Sequence, residues 1–157
     1  MELIIFVGLQ GSGKSTFYHT YFAGTHEHVS KDLMRNNRKP QRRQIQLIES
    51  ALERQQSVVV DNTHPTVEVR KPLIELGRAF GTKVIGYYFE AELSQCIERN
   101  KQRAGKARVP DVAIYVTSKR LERPTYIEGF DKLYIVRISK EMSFEVQMLA
   151  DDESTIT

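Results

Sequence analysis

Cysteine is almost absent from this chain of 157 residues, since Cys96 is the only one. An internal disulfide is therefore excluded, and a reducing compartment is the natural setting. No apolar run approaches the length that spans a bilayer, and the first residues lack the basic segment and the cleavage site of a signal peptide. We therefore expect a cytoplasmic protein without a membrane partner.

Internal repeats and linker segments are also absent from the sequence. Its length suits one domain with a sizeable core and is too short for two comfortable ones. We expect that domain over residues 1–150, followed by a disordered acidic tail over residues 151–157. The formal net charge of +3 is mildly basic, which agrees with a phosphate-bearing partner but does not require one. The oligomeric state stays open.

The stretch Gly8–Ser15 has the spacing of a phosphate-binding P-loop, in which a glycine and four residues precede Gly-Lys-Ser. Its glycines let backbone N–H groups turn towards a triphosphate. Lys14 can place a positive charge on the β- and γ-phosphates, and the Ser15 hydroxyl can ligate Mg²⁺. An apolar run over residues 3–7 precedes the loop and a helical segment follows it, as the motif requires. The predicted nucleotide-binding residues of this loop are Gly8, Gly11, Ser12, Gly13, Lys14, Ser15 and Thr16.

Apolar segments typical of strands alternate with amphipathic helical segments along the rest of the chain. Gly24 is expected to end the first helix, Pro40 can open the second, and Gly81 is a good stop for the third. Residues 144–148 alternate between apolar and polar, which indicates an edge strand or a docked extension. The alternation predicts an α/β fold with a mostly parallel sheet and helices on both faces. Further strands are predicted at residues 26–30, 57–61, 83–89 and 133–138.

Asp61 ends one of these predicted strands. In a P-loop fold, the carboxyl ends of parallel strands open onto the nucleotide site. A carboxylate there can hold Mg²⁺ through water or bind the acceptor of a phosphoryl group. The alternative is that Asp61 or Asn62 caps the helix that follows.

Asp32 lies just past the second predicted strand, between Lys31 and Arg35. A carboxylate among cations stays ionised near neutral pH, so it can accept a proton from an attacking hydroxyl. The alternatives are a surface salt bridge and a helix cap, and the residues alone favour none of the three.

A polar, basic segment around Gly105 is too hydrophilic to pack into a core. In phosphoryl transfer, such a segment can form a lid in which an arginine meets the charge on the migrating phosphoryl group. The alternative is a solvated helix end, where arginines interact favourably with the helix dipole. The cations of this segment are Arg99, Lys101, Arg103, Lys106 and Arg108.

Taken together, these motifs resemble the kinase domain of the 5′-hydroxyl polynucleotide kinases. The matching blocks occur in order from Glu2 to about Ile138. The P-loop is shared with many kinases and ATPases, whereas the Asp-Asn-Thr-x-Pro and Glu-Gly-Phe blocks are much more specific. The blocks are the P-loop with Thr16-Phe17, Val29-Ser30-Lys31-Asp32, Val60-Asp61-Asn62-Thr63-His64-Pro65, Arg99-Asn100-Lys101-Gln102-Arg103, Val109-Pro110 and Pro124-Thr125-Tyr126-Ile127-Glu128-Gly129-Phe130.

The resemblance implies a single-domain P-loop kinase whose sheet has about five strands and whose lid carries arginine. It implies that ATP, with Mg²⁺, donates its γ-phosphate to the 5′-hydroxyl of a DNA or RNA strand. Asp32 matches the general base, and Arg103 matches the lid arginine that stabilises the transition state together with Lys14. Arg99 matches a neighbouring lid residue at the nucleotide. The implied acceptor-binding residues are Arg35, Asp61 and Asn62.

Two departures from the family accompany this resemblance. His64 stands where asparagine is common, and Lys31 stands where arginine is common. Many polynucleotide kinases also carry a phosphatase or ligase domain, which this sequence does not show, so the acceptor stays open.

Two other functions therefore remain as alternatives. One is a kinase of a small hydroxylated metabolite, which would use Asp32 but need a closed acceptor pocket. The other is a nucleotide-dependent switch, which needs no base for an alcohol. The histidines lack the Cys or Glu partners of a metal site and are interpreted as bystanders, although His64 follows a strand end and can line the pocket.

Overall fold

The computed structural model describes residues 1–34, 38–139 and 143–151. Within these ranges the chain forms six strands, five α-helices and three short 3-10 turns. The strands are β1 (Glu2–Val7), β2 (Glu27–Val29), β3 (Val58–Val60), β4 (Lys83–Phe89), β5 (Lys132–Ile138) and β6 (Phe144–Leu149). The helices are α1 (Lys14–Tyr21), α2 (Pro40–Glu53), α3 (Val67–Ala79), α4 (Leu93–Lys101) and α5 (Asp111–Arg120).

All strands lie in one sheet with the order β2-β3-β1-β4-β5-β6. The first five strands in this order are parallel, and β6 runs antiparallel to β5. The predicted mostly parallel sheet is thus confirmed, with one strand beyond the five expected. That strand is the alternating segment near residues 144–148, which pairs along the edge. Because β1 lies between β3 and β4, the loop that follows β1 opens at the middle of the sheet.

Helices cover both faces of the sheet, as the sequence predicts. In β1, Leu3 and Ile5 face the core that α2 and α3 close, whereas Ile4 and Phe6 face the core that α1 closes. All four side chains are fully buried. Burying an aliphatic or aromatic side chain of this size contributes roughly 1.5–3 kcal/mol, so the central strand is a strongly fixed base for the loop that leaves it.

Local sequence signals explain most helix boundaries. Pro40 is the first residue of α2, where its missing N–H costs nothing. Gly81 follows α3 with a φ of 66°, as predicted for a helix stop. The prediction for Gly24 is wrong, because α1 ends at Tyr21 and Gly24 does not adopt the left-handed conformation. The first helix instead ends with the Phe22 N–H donating to the carbonyl of Tyr18.

The predicted acidic tail lies almost entirely outside the described residues. Residues 152–157 of the predicted acidic tail lie beyond the described residues, so the domain boundary near residue 150 stays a prediction. Within the described parts of the chain, no helix is long and apolar enough to cross a membrane.

Candidate active site

The loop between β1 and α1 has a shape that only glycine permits at two positions. Gly13 caps α1 with a φ of 95°, in the left-handed region. At Gly11, where φ is 78°, an added Cβ would lie 2.5 Å from the carbonyl oxygen of Cys96. The loop therefore packs closely on α4 and wraps the N-terminus of α1. Ser12 is buried in it, and its hydroxyl has no hydrogen-bond partner among the described residues, which suits a phosphate oxygen.

Lys14 is buried in the same loop. Its ammonium group donates to the carbonyl oxygens of Gly8, at 3.0 Å, and Leu9, at 2.7 Å. Burial lowers the pKa of Lys14 to about 8, although the nearby Asp61 carboxylate opposes the shift. Desolvation thus disfavours the charged form, and a negatively charged ligand in the loop would favour it again. These features fit Lys14 to the β- and γ-phosphates of a nucleotide.

Ser15 and Asp61 meet at the start of α1. The Ser15 hydroxyl donates to Asp61 Oδ2 at 2.8 Å, and the Asp61 side chain is almost fully buried. Burial alone would raise the pKa of Asp61, but the hydrogen bond from His28, the charge of Lys14 and the bond from Ser15 hold it below its ordinary value. Asp61 is therefore an ionised carboxylate beside a hydroxyl, and two oxygen ligands of this kind suit Mg²⁺.

This donor set also fits how Mg²⁺ usually binds. Mg²⁺ tends to keep several waters and to use one or two protein oxygens together with the phosphates of its substrate. Among the described residues, no three His, Cys, Asp or Glu side chains are grouped to hold a metal by themselves. Ser15, with Asp61 acting directly or through water, would therefore hold the ion only in company with bound phosphates.

The helix-cap alternative for Asp61 and Asn62 is wrong. Thr66 caps α3 instead, and its side-chain oxygen accepts a hydrogen bond from the Val69 N–H at 3.3 Å. Asp61 and Asn62 instead lie in the loop between β3 and α3, where both line a cavity next to Lys14.

His28 is a site residue that the sequence interpretation missed. Its Nε2 lies 2.8 Å from Asp61 Oδ2, and its ring stacks on Tyr18 with centroids 4.0 Å apart. The interpretation of the histidines as bystanders is therefore wrong for His28. The contact arises because β2 and β3 are parallel neighbours that pair Val29 with Val60, which places His28 beside the end of β3. Only this pairing would have revealed it.

Asp32 lies on a 3-10 turn, Lys31–Met34, directly after β2. Ser30 caps this turn, since its hydroxyl accepts a hydrogen bond from the Asp32 N–H at 3.2 Å. The Ser30 hydroxyl thus caps the start of this turn, and the three roles considered for the Asp32 side chain, namely base, salt bridge and cap, stay predictions. The Asp32 side chain lines the cavity. Arg35, the predicted acceptor contact, lies outside the described residues.

The loop that follows β3 is fixed by a buried ion pair. Arg70 is fully buried in α3, and it binds both carboxylate oxygens of Glu128 at 2.7 and 3.1 Å. A third nitrogen–oxygen contact, at 2.8 Å, joins Arg70 to the carbonyl of His64. The Asp-Asn-Thr-His-Pro and Glu-Gly-Phe blocks, far apart in sequence, are thus held together through one guanidinium group. Sequence spacing gave no sign of Arg70.

The predicted lid follows α4 and contains a 3-10 turn, Gly105–Ala107. Arg99 donates to the carbonyl of Gly11 at 3.0 Å, so this arginine reaches the P-loop rather than extending into solvent. Arg103 lines the cavity. The fully buried Asn100 closes the base of the segment, because its side chain donates to Val109 O at 2.6 Å and accepts from Val109 N at 3.0 Å.

One cavity of about 440 Å³ brings the predicted catalytic residues together. Lys14, Asp32 and Arg103 all line it, although they come from three separate segments of the chain. A cavity of this size matches those that bind small molecules and cofactors. Apolar side chains from α2 and α3 line another part of the wall, namely Ile45, Val69, Pro72 and Leu73.

The buried His64 is expected to make the stability of the protein depend on pH. His64 is buried with a φ of 44°, and burial lowers its pKa to about 4. Between pH 6.5 and 4 the unfolded chain therefore binds a proton that the folded protein does not, and stability falls as the pH drops through this range. The expected loss is about 3 kcal/mol in the free energy of unfolding.

Urea unfolding at pH 7.5 and at pH 4.5 measures this loss. His64→Asn is the control, because asparagine tolerates a positive φ better than most residues and carries no titrating group. The stability of His64→Asn relative to the wild type is expected to rise as the pH falls. A difference between the two proteins that stays constant with pH would contradict a neutral, buried His64.

Comparison with known proteins agrees with this geometry. Residues 3–124 match the protein family described as an AAA domain. The chain is 29% identical over 133 residues to the bifunctional polynucleotide phosphatase/kinase of Schizosaccharomyces pombe, an alignment that covers 82% of this chain and 32% of that protein. A relative in Acanthamoeba polyphaga mimivirus is 29% identical over 96% of this chain and 35% of its own length. The chain thus spans about a third of the length of these curated relatives.

Solved structures share the fold. A fungal RNA kinase superposes with a TM-score of 0.66 at 19% identity, over 88% of this chain and 38% of that protein. A gluconokinase from Sinorhizobium meliloti superposes with a TM-score of 0.62 at 21% identity, over 90% and 86% of the two chains. The resemblance to polynucleotide kinases and the single-domain P-loop kinase fold are both confirmed.

Proposed function

The chain belongs to the AAA domain family, and we propose that it is an ATP-dependent kinase that transfers the γ-phosphate to the 5′-hydroxyl of a polynucleotide. The observation that carries the proposal is that Asp32 lines the same cavity as Lys14, Ser15, Asp61 and Arg103. A phosphate-binding loop alone serves hydrolysis, switching or transfer. A second carboxylate in the loop's own cavity favours transfer to a hydroxyl, since a switch needs no base for an alcohol.

Each residue has a distinct role in the proposed reaction. Asp32 accepts the proton of the acceptor hydroxyl. The oxygen of that hydroxyl bonds to the γ-phosphorus, and the bond from the γ-phosphorus to the leaving oxygen of ADP breaks. Lys14 and Arg103 stabilise the negative charge of the migrating phosphoryl group. Ser15 and Asp61 would hold Mg²⁺, which neutralises charge on the β- and γ-phosphates when bound.

A polynucleotide acceptor is supported by charge near the cavity. Arg38 just before α2 and Arg42 and Arg43 in its first turn are exposed. The neighbouring Gln41 and Gln44 line the cavity. Lysine and arginine contacts with phosphates supply much of the affinity for nucleic acids. The name of the Schizosaccharomyces pombe relative supports the same acceptor. Whether the strand is DNA or RNA is not part of the proposal.

A kinase of a small hydroxylated metabolite is the second candidate. The apolar part of the cavity, with Ile45 and Leu73, favours it because such side chains can enclose a compact acceptor. The chain also shares its fold with a gluconokinase. The expected cytoplasmic location and the absence of a membrane partner apply to both candidates and stay predictions.

The salt dependence of acceptor binding separates the two candidates. If the basic segment from Arg35 to Arg43 binds backbone phosphates, acceptor affinity should fall with salt by roughly 0.7 log units per log unit for each phosphate contacted on a single strand. Arg35→Ala should weaken binding of a 5′-hydroxyl oligonucleotide far more than binding of a nucleoside. The measurement is the apparent acceptor affinity of both compounds across a salt series.

Lys71→Ala serves as the matched control, because this exposed cation lies on α3 and does not line the cavity. It should leave the salt slope unchanged. Equal losses for oligonucleotide and nucleoside in Arg35→Ala, or a flat salt dependence with the oligonucleotide, would favour the metabolite candidate instead.

A further inference from the structure

A chain of three hydrogen bonds joins the turn of Asp32 to the strand that carries the P-loop. The Lys31 N–H lies 2.9 Å from Asn62 Oδ1. Asn62 Nδ2 lies 3.4 Å from His64 Nε2, and His64 Nδ1 lies 2.6 Å from the carbonyl oxygen of Phe6 in β1. This chain of hydrogen bonds thus runs from the segment after β2, across the loop after β3, to the central strand of the sheet.

The direction of every bond in this chain is fixed by its two ends. The Lys31 N–H can only donate, so Asn62 presents its oxygen to it and its NH₂ group to His64. The carbonyl of Phe6 can only accept, so His64 carries its proton on Nδ1 and leaves Nε2 as an acceptor. At the Asn62–His64 contact, the Asn62 NH₂ group therefore donates and His64 Nε2 accepts, so the two assignments agree. A histidine protonated on both nitrogens would break the chain at this contact.

Three hydrogen bonds tie the Asn62 carboxamide to the protein itself, and they use both of its N–H groups. Its second N–H donates to Gln44 Oε1 at 2.7 Å, and Gln44 is buried in α2. Asn62 therefore binds a backbone N–H, a glutamine and a histidine at once. An acceptor would have to displace one of these bonds to receive a hydrogen bond from the NH₂ group of Asn62. This arrangement suits a residue that holds other groups in place.

We propose, on the premise that Asp32 is the base, that Asn62 and His64 are positioning residues that hold the Asp32 turn relative to the P-loop. This assignment replaces acceptor binding as the role of Asn62. The first three residues of the turn are exposed, whereas Met34 at its end is buried in the core. Met34 therefore anchors one end of the turn, and the bond from Lys31 to Asn62 holds the other. A displacement of about 1 Å in a reacting group can cost about 10²-fold in rate.

A double-mutant cycle tests the proposal. In the otherwise wild-type protein, Asn62→Ala is expected to lower kcat by about 10–100-fold while leaving KM for the oligonucleotide acceptor and for ATP within about twofold. In the Asp32→Ala background, the same substitution should lower kcat by less than about threefold, because there is no base left to position. A residue that binds the acceptor would instead raise its KM, with equal effects in both backgrounds, and that result would overturn the proposal.

Amide hydrogen exchange supplies a readout that does not depend on activity. The Lys31 N–H should be protected in the wild type, and Asn62→Ala should remove this protection while the amides of β1 and β4 stay protected, which also shows that the variant is folded. His64→Asn removes one bond of the chain and should lower kcat by about 3–10-fold without changing KM for the acceptor. Unchanged protection at Lys31 in Asn62→Ala would overturn the proposal.

The outcome also separates this inference from the proposed function. If the wild type transfers phosphate to a 5′-hydroxyl but the cycle is additive, only the positioning role fails. If the wild type transfers phosphate to no hydroxyl acceptor, the proposed function fails, whereas the exchange of the Lys31 amide still reports whether Asn62 holds the turn.

Discussion

Replacing Asp32 by alanine is expected to slow phosphoryl transfer by roughly 10²–10⁴-fold, the usual contribution of a general base. The affinity for ATP should stay close to that of the wild type, because the phosphates bind the loop before α1 and Asp32 lies after β2. The separation of the two effects follows from the fold, in which different strands carry the base and the P-loop. Single-turnover rates and nucleotide titrations of both proteins measure the two quantities.

Two further variants sharpen this prediction. Asp32→Asn keeps the shape of the side chain but cannot accept the proton, so it should be nearly as slow as Asp32→Ala. Asp151→Ala removes an exposed carboxylate that does not line the cavity, and it should behave as wild type. Nearly normal turnover in Asp32→Asn would show that another group takes the proton or that the hydroxyl needs no base.

Replacing Lys14 by methionine is expected to impair both binding and chemistry. Methionine fills much of the buried space but carries no charge, so the β- and γ-phosphates lose a preorganised cation. Removing one preorganised group at a developing charge costs about 10²–10³ in kcat. The affinity for ATP should fall as well, because Lys14 faces the phosphates before and during transfer. Lys14→Met therefore differs from Asp32→Ala in its effect on nucleotide titration.

Lys71→Met is the matched control, since it removes an exposed cation of the same type from α3. Urea unfolding of Lys14→Met is the folding control, because relief of the desolvation cost of the ammonium group is opposed by the loss of its hydrogen bonds to the carbonyls of Gly8 and Leu9. A Lys14→Met variant that binds ATP as tightly as the wild type would contradict the assignment of the P-loop phosphates to Lys14.

The pattern of apolar residues, together with proline and glycine at helix ends, predicted most of the fold. Strand β4 lies at the predicted residues 83–89, and α2 begins at Pro40 as predicted. These elements carry strong local signals, namely an unbroken apolar run and a proline at the first helical position. The P-loop was predictable for the same reason, because its glycines and Lys14 are adjacent in sequence and act together.

Contacts between distant segments could not be predicted from the sequence. His28 reaches Asp61 only because β2 pairs with β3 in a particular register. Arg70 binds Glu128 across 58 positions, and nothing in the sequence around either residue marks the pair. The sequence allowed Asn62 to cap the next helix, but the N-cap residue of α3 is Thr66. In each case several partners were locally possible, and tertiary packing selected one.

The decisive measurement is transfer of label from γ-labelled ATP to a panel of acceptors, with wild type and Asp32→Ala compared side by side. The panel contains 5′-hydroxyl DNA and RNA oligonucleotides, the same oligonucleotides with a 5′-phosphate, nucleosides and sugars. We expect label on a 5′-hydroxyl oligonucleotide, none on its 5′-phosphorylated form, and loss of transfer in Asp32→Ala. Label on sugars or nucleosides alone, or release of phosphate without transfer to any hydroxyl, would contradict a polynucleotide 5′-hydroxyl kinase.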